Sequence, residues 1–113
     1  MNLTLEPAEG YLLVRVEESR FDALAAPDFK ARLATALAGA APRIVLDLSP
    51  VSFIDSAALA AILSVVKGLP PEGDLRLAGP REPVRAVLRL TRLDKVLAIY
   101  PTAEEASASF EGR

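Results

Sequence analysis

The chain contains no cysteine and no histidine among its 113 residues. Without cysteine there is no disulfide framework and no thiolate ligand for zinc. Without histidine, the commonest general base and the commonest metal ligand are both missing. These two absences argue against histidine-dependent catalysis and against the usual zinc sites. We therefore expect no catalytic residues, no metal and no cofactor.

A strong excess of charge of either sign is also lacking. The 13 basic and 15 acidic residues leave a formal net charge of −2, which predicts no general attraction to nucleic acid or to an anionic membrane. The six glycines are scattered and form no phosphate-binding loop. No run approaches the roughly 18 apolar residues that span a bilayer, and the first ten residues lack the features of a signal peptide. We expect a cytoplasmic protein without direct membrane insertion.

What the chain does contain is an ordinary globular composition, with 51% hydrophobic and 25% charged residues. A chain of this length can bury one sizeable core. We therefore expect a single domain over residues 1–113. Because the sequence begins with Met1, we expect a free-standing protein.

Strand-like and helix-like patterns alternate along the chain. Residues 3–5 and 11–16 are predicted to form an antiparallel hairpin around a turn at residues 7–10. Three further strands are predicted at residues 44–48, 75–78 and 96–100. Helices are predicted to begin near Pro27, Asp55, Pro83 and Thr102. The first of these helices is expected to end at Gly39.

This order of elements, β-β-α-β-α-β-α-β-α, indicates the α/β class. Strands that alternate with helices imply right-handed crossovers and parallel pairing. The opening hairpin supplies one antiparallel edge. We predict a mixed, mostly parallel five-stranded sheet with about four helices.

The most informative stretch is residues 44–63, IVLDLSPVSFIDSAALAAIL. An apolar strand leads through a short turn to Asp55 and Ser56, and these lead directly into an apolar helix. Asp55 is well placed to cap that helix, and Ser56 would lie in its first turn. In open α/β sheets, sites usually lie where strands end. A serine nucleophile needs a nearby base, however, and no histidine exists.

Three aspartates, Asp22, Asp47 and Asp55, follow or end predicted strands. Carboxylates gathered at one sheet edge would suit Mg²⁺. Nothing in their spacing requires this, and Asp47 is equally explained as a hydrogen-bonded strand residue. A metal site is therefore not expected.

In this element order, the stretch at residues 44–63 resembles the STAS domain of anti-sigma factor antagonists. The resemblance covers nearly the whole chain, with further support from Phe21-Asp22 and from residues 75–79 followed by Pro83-Val84. It implies the STAS fold and a bacterial regulator of transcription that acts by protein–protein interaction. In that family, a kinase-type anti-sigma factor binds the domain and phosphorylates it within the motif Asp-Ser-(Ser/Thr)-Gly-Leu.

The chain departs from that motif at the residue that carries the phosphate. It reads Asp-Ser-Ala-Ala-Leu, so the family phosphosite corresponds to Ala57, which has no hydroxyl. The resemblance thus implies a lost phosphorylation switch, or a substitute phosphosite at Ser56. It also implies a partner-binding surface made of Asp22, Asp55, Ser56, Ala57 and Ala58.

Other functions stay open at this point. STAS subunits of bacterial phospholipid-transporting ABC systems also carry a hydroxyl residue after the aspartate, followed by small residues, so a second hypothesis is an accessory subunit that docks on a transport ATPase. A small nucleotide-binding protein or enzyme is a remote third. A homodimer is compatible with all three.

A run of basic residues marks the third predicted helix. Arg81, Arg85, Arg89 and Arg92 are spaced four, four and three apart and would form one basic stripe on a helix, with Lys95 just beyond. The stripe is either a solvated face or a docking strip for an acidic partner. Aromatic residues are absent from it, which argues against nucleic acid.

Overall fold

The computed structural model describes residues 1–38 and 43–111. Its main sheet has five strands: β1 (Leu3–Ala8), β2 (Tyr11–Val16), β4 (Arg43–Asp47), β6 (Asp74–Ala78) and β7 (Ile99–Tyr100). Two shorter strands, β3 (Arg20–Phe21) and β5 (Phe53–Ile54), pair separately. The helices are α1 (Ala26–Leu37), α2 (Ser56–Lys67), α3 (Glu82–Leu90) and α4 (Ala103–Glu111).

The strand order in the main sheet is β1-β2-β4-β6-β7. Strand β1 pairs antiparallel with β2, and the other neighbours pair in parallel. This confirms the predicted mixed, mostly parallel five-stranded sheet with four helices. The two-stranded sheet of β3 and β5 was not predicted, because two-residue strands have no periodicity to detect.

Helices cover both faces of the sheet. Along β4, Ile44 and Leu46 face the core that α1, α2 and α3 build, whereas Val45 faces a smaller core with Phe110 of α4. Successive side chains of a strand point to opposite faces, so both faces must be apolar here. This explains the nearly continuous apolar run that predicted the strand.

The opening hairpin is longer than predicted. Strand β1 continues through Pro7, which lies opposite Leu12, to Ala8. Only Glu9 and Gly10 form the turn, and Gly10 adopts a positive φ of 86°. Pro7 is tolerated because β1 is an edge strand, where a missing N–H need not break a ladder.

The strand predicted at residues 96–100 is shorter in the structure. Leu93–Lys95 form a 3-10 turn, and only Ile99 and Tyr100 pair with β6. Val96 is 68% exposed. Apolar composition alone misled the prediction, because this segment approaches only the second half of β6. The predicted helix end at Gly39 lies outside the described residues, and α1 ends at Leu37.

The prediction that four arginines form one stripe on a helix is also wrong. Helix α3 ends at Leu90, and Arg92 adopts a left-handed backbone conformation with φ 62°. At the other end, Arg81 precedes the helix as its N-cap residue. Only Arg85 and Arg89 lie within α3, because Arg81 precedes its first residue and the left-handed backbone at Arg92 follows directly after the C-cap residue Thr91.

Candidate partner-binding site

Asp55 connects the start of α2 to the segment that precedes α1. Its Oδ1 accepts a hydrogen bond from the backbone N–H of Ala58 at 3.0 Å, which confirms the predicted N-cap. Its Oδ2 accepts from the backbone N–H of Ala23, also at 3.0 Å. Both carboxylate oxygens are therefore engaged, and the side chain positions two chain segments at once.

The short parallel pair of β3 and β5 places Asp22 beside Asp55. Phe21 pairs with Ile54, and the backbone N–H of Asp55 donates to the carbonyl of Phe21 at 3.3 Å. The Asp22 carboxylate accepts from the backbone N–H of Leu24 at 3.1 Å and lies 3.5 Å from Nε of Arg20. The structure thus brings the two predicted aspartates together, each with its own hydrogen-bond donors.

Ser56 and Ala57 form the accessible tip of this corner. Ser56 is exposed in the first turn of α2, and Ala57 is half-buried beside it. Ala58, in contrast, has no exposed surface and packs in the main core. Its inclusion in the binding surface was wrong, because the side chain of the third helical residue turns inward.

Two apolar side chains that the sequence analysis missed also lie near this corner. Leu24 is 92% exposed in the turn after Asp22. Phe53 is 41% exposed and lies under the guanidinium of Arg20, 4.3 Å from the ring centroid. A leucine in an otherwise alanine-rich turn was the one available signal for Leu24. We define the corner surface as Asp22, Leu24, Phe53, Ser56 and Ala57.

An open apolar groove between α1 and α2 continues from the corner. It encloses about 640 Å³, and its lining includes Ala57 and Lys30. The other lining residues are Ala26, Pro27, Ala31, Ala34, Ala60 and Ala61. Small side chains on both helices leave this space open. The tip of α2 is therefore one end of a longer apolar surface.

A second polar cluster holds the loop that leads into β5. Buried Asp47 accepts hydrogen bonds from Nε of Arg15 and from the backbone N–H of Ser49, both at 2.9 Å. The bond to Asp47 raises the pKa of the Arg15 guanidinium. From the other side, Nε of Arg81 donates to the Ser49 carbonyl at 2.7 Å. The loop is thus fixed at both faces.

Gly79 allows this loop to approach β6 closely. Its φ is +65°, and a Cβ atom added there would lie 3.2 Å from the Ser49 Cβ and 3.4 Å from Asp47 Oδ1. A larger residue would be strained by its backbone and crowded by the loop. The backbone that precedes Asp55 is therefore held by packing as well as by hydrogen bonds.

The three aspartates do not converge on one point that could hold a metal. Asp47 pairs with Arg15, whereas Asp55 accepts from two backbone N–H groups. Over residues 1–38 and 43–111, no cluster of three or more acidic side chains has the arrangement of a metal site. Within the same ranges, no helix is long and apolar enough to cross a membrane.

Comparison with known proteins agrees with this architecture. A family model described as the STAS domain matches residues 2–106. A protein of Thermotoga neapolitana, named as an anti-sigma factor antagonist homologue, is 39% identical over 72 residues. That alignment spans 63% of this chain and 64% of its relative, slightly less than two thirds of either.

Solved structures match over almost the full length. An anti-sigma factor antagonist from Mycobacterium paratuberculosis superposes with a TM-score of 0.87 and 27% identity, covering 96% of this chain and 92% of that one. The anti-sigma factor antagonist SpoIIAA, solved in its unphosphorylated form, gives a TM-score of 0.84 and 25% identity, with 99% and 98% covered. The fold, the capped start of α2 and the match over residues 2–106 lead to one conclusion: the chain belongs to the STAS domain family and is similar to its anti-sigma factor antagonists.

Proposed function

We propose that this protein regulates transcription by binding an anti-sigma factor through the corner surface. The observation that carries the proposal is the tip of α2, where exposed Ser56 and half-buried Ala57 lie on a backbone held by Asp55. Leu24 adds a nearly fully exposed apolar side chain beside this rigid tip. Exposed apolar side chains on a preorganised frame are typical of protein-binding sites.

We further propose that the protein acts by binding alone and not as an enzyme. Ser56 is the accessible hydroxyl at the tip, and a serine nucleophile needs a base that can take its proton. The neighbouring carboxylate of Asp55 already accepts two backbone hydrogen bonds, which engage both its oxygens. This geometry supports a scaffold role for Asp55.

The partner we propose is a kinase-type anti-sigma factor that can bind position 57 but cannot phosphorylate it. A phosphate would add close to two negative charges at this position, on a surface that also carries the carboxylate of Asp22. Ala57 has no hydroxyl to receive one. The complex would then be controlled by the amounts of the two proteins and not by a modification of this chain.

The test is to replace Ala57 with aspartate and with serine and to measure binding to each anti-sigma factor of the source organism by calorimetry. Ala57→Asp should weaken the complex at least about tenfold, because it buries an unpaired charge in the interface. Ala57→Ser should retain most of the affinity and should become phosphorylated when the partner and ATP are supplied.

A matched control is Ala108→Asp, the same substitution at an exposed position of α4, on the other face of the sheet. This variant should bind normally. If Ala57→Asp binds as tightly as the unmodified protein, the interface lies elsewhere.

The second candidate partner is the ATPase subunit of a membrane transport system. The observation that favours it is the exposed hydroxyl of Ser56 followed by two alanines. The same variants separate the two partners. If the ATPase is correct, Ala57→Asp still disrupts binding, no anti-sigma factor binds, and Ala57→Ser acquires no phosphate.

A further inference from the structure

A second unusual surface lies where α3 ends, away from the corner surface. Leu90 is 84% exposed and Val96 is 68% exposed, and Arg92 and Lys95 lie between them in sequence. Helix α3 begins after the end of β6 and runs back towards the edge where the parallel strands begin. These four residues, which we call the α3-end patch, therefore lie far from the tip of α2.

Positive charge is concentrated in the chain segment that contains this patch. Residues 81–95 contain five basic and two acidic residues, a net charge of +3. The other 98 residues contain eight basic and thirteen acidic residues, a net charge of −5. The overall charge of −2 is thus the sum of one cationic segment and an otherwise acidic chain.

The basic side chains at residues 81–95 differ in whether the described residues supply them with a partner. Arg81 donates to the Ser49 carbonyl, and Arg89 pairs with Glu82. Of the residues that the structure describes, neither Arg92 nor Lys95 forms an ion pair with a carboxylate. Both side chains are exposed and free to meet a ligand.

Arg92 also occupies a backbone position that disfavours it. It directly follows Thr91, the C-cap residue of α3, and has φ 62° and ψ 18°. Its backbone N–H donates to the Arg89 carbonyl at 3.1 Å. Glycine is the usual residue in this left-handed conformation, because any side chain adds strain there. An arginine at this position lowers the stability of the fold and forms no ion pair with the described residues. Strain of this kind is commonly retained at binding surfaces.

The charge and shape of the patch select among three kinds of occupant. A second copy, docked symmetrically, would place two positive patches against each other. An anionic bilayer would raise the affinity only about fivefold per cation, and even a complete myristoyl chain binds marginally. A folded partner can instead place carboxylates against the guanidinium of Arg92 and enclose Leu90 in an apolar recess.

We propose that the α3-end patch is a second docking surface, which binds an acidic segment of a protein partner. The segment would carry carboxylates for Arg92 and Lys95 beside an apolar side chain or recess for the exposed aliphatic groups of Leu90 and Val96. Because the patch lies away from the corner surface, the protein can hold two partners at once.

The first test uses two synthetic helical peptides with identical leucine positions, one with glutamate and one with lysine at the polar positions. Each is titrated into ¹⁵N-labelled protein. The glutamate peptide should shift amide resonances of residues 85–97 and bind at least tenfold tighter than the lysine peptide. Leu90→Ser and Arg92→Ala should each weaken it at least fivefold. Lys30→Glu, a charge change on α1, should leave it unchanged.

The second test compares two substitutions of Arg92 by thermal unfolding. Both Arg92→Gly and Arg92→Ala remove the guanidinium, but only glycine relieves the left-handed strain. Arg92→Gly should therefore melt about 2–5 °C above Arg92→Ala and at or above the unmodified protein, while both bind the glutamate peptide equally weakly. If Arg92→Gly melts below the unmodified protein, the side chain has a structural role and the proposal falls.

Three other results would overturn the proposal. The first is equal affinity for both peptides, or resonance shifts centred outside residues 85–97. The second is tighter binding to vesicles with 30% phosphatidylglycerol than to the glutamate peptide, which would make a membrane the occupant. The third is concentration-dependent dimerisation in light scattering that Arg92→Ala abolishes. None of these readouts depends on the corner surface, so this proposal can fail while the proposed function stands.

Discussion

The two ends of this molecule use charged residues in opposite ways. Behind and at the corner, Asp47 and Asp55 each accept two hydrogen bonds, which join β2 to β4, hold the loop before β5 and connect the start of α2 to the segment before α1. At the end of α3, Arg92 and Lys95 form no ion pair within the described residues, and their neighbours Leu90 and Val96 are exposed. The polar groups at the first end hold the backbone in place, whereas the charged groups at the second end are exposed and can bind a ligand.

This difference shows that a small domain can use some polar groups to hold its backbone in place and leave others exposed to solvent. The corner presents few accessible groups on a backbone that is fixed by contacts from distant segments. Such preorganisation lowers the entropy cost of binding. The α3-end patch has the reverse character, because its exposed side chains lie at the last residue of α3 and around the short turn that follows, and Arg92 sits on a strained backbone. Substitutions of the polar groups that hold the corner should therefore lower stability, whereas substitutions of exposed side chains at either surface should weaken binding.

The largest effect on stability should come from Asp55→Ala. The substitution removes the cap of α2 and the bond to Ala23 together, so we expect a loss of about 2–3 kcal/mol in the free energy of unfolding. Asp55→Asn should lose about half of that, because its amide oxygen can still cap α2. Chemical denaturation measures both.

Thr102→Ala is the matched control for this comparison. Thr102 caps α4 with a single hydrogen bond to the backbone N–H of Glu105 at 3.1 Å. Loss of this hydrogen bond should lower the free energy of unfolding by about 1 kcal/mol. If Asp55→Ala costs no more than Thr102→Ala, the bond that connects the two segments contributes nothing, and the corner is less rigid than we describe.

A smaller effect should follow Gly79→Ala. The left-handed backbone and the close approach of Ser49 should together lower the free energy of unfolding by about 1–2 kcal/mol. Gly10→Ala is the control for strain alone, since its φ is also positive but a Cβ there meets nothing within 4 Å. Gly79→Ala should be the more destabilising of the two. Equal costs would show that the loop yields to the added methyl group.

The smallest effect concerns the ion pair between Glu82 and Arg89 on α3. The hydrogen bond from Arg89 lowers the pKa of Glu82 below its ordinary value of 4.5. The pair should therefore add a little stability at pH 7, and this contribution should disappear as the pH falls from 4.5 through the lowered pKa. The difference in melting temperature between the protein and Glu82→Gln should shrink to zero over that range.

The same variant sharpens the contrast between the two ends. Glu82→Gln leaves Arg89 without its carboxylate and makes the region around the α3-end patch more positive. Affinity for the glutamate peptide should rise slightly at pH 7. A fall in affinity would indicate that Glu82 itself belongs to the docking surface.

Local signals predicted most of the fold correctly. The apolar run of β4, the Asp55 cap of α2 and the Thr102 cap of α4 each depend on residues within a few positions, and the structure confirms all three. Prediction failed where the environment of a residue depends on segments that are distant in sequence. Val96 belongs to an apolar run but meets no strand, and Ala58 belongs to the motif but turns into the core.

The sequence by itself determined the order of the five main strands and four helices, the start of α2 and the absence of a hydroxyl at Ala57, because these follow from residue chemistry and local periodicity. Only the tertiary structure decided that Asp55 also holds Ala23, 32 residues away in the chain, and that Arg92 lies outside α3 on a strained backbone. The physical reason is the range of the interactions. Caps and helical faces act over about four residues, whereas packing between distant segments determines which side chains remain exposed.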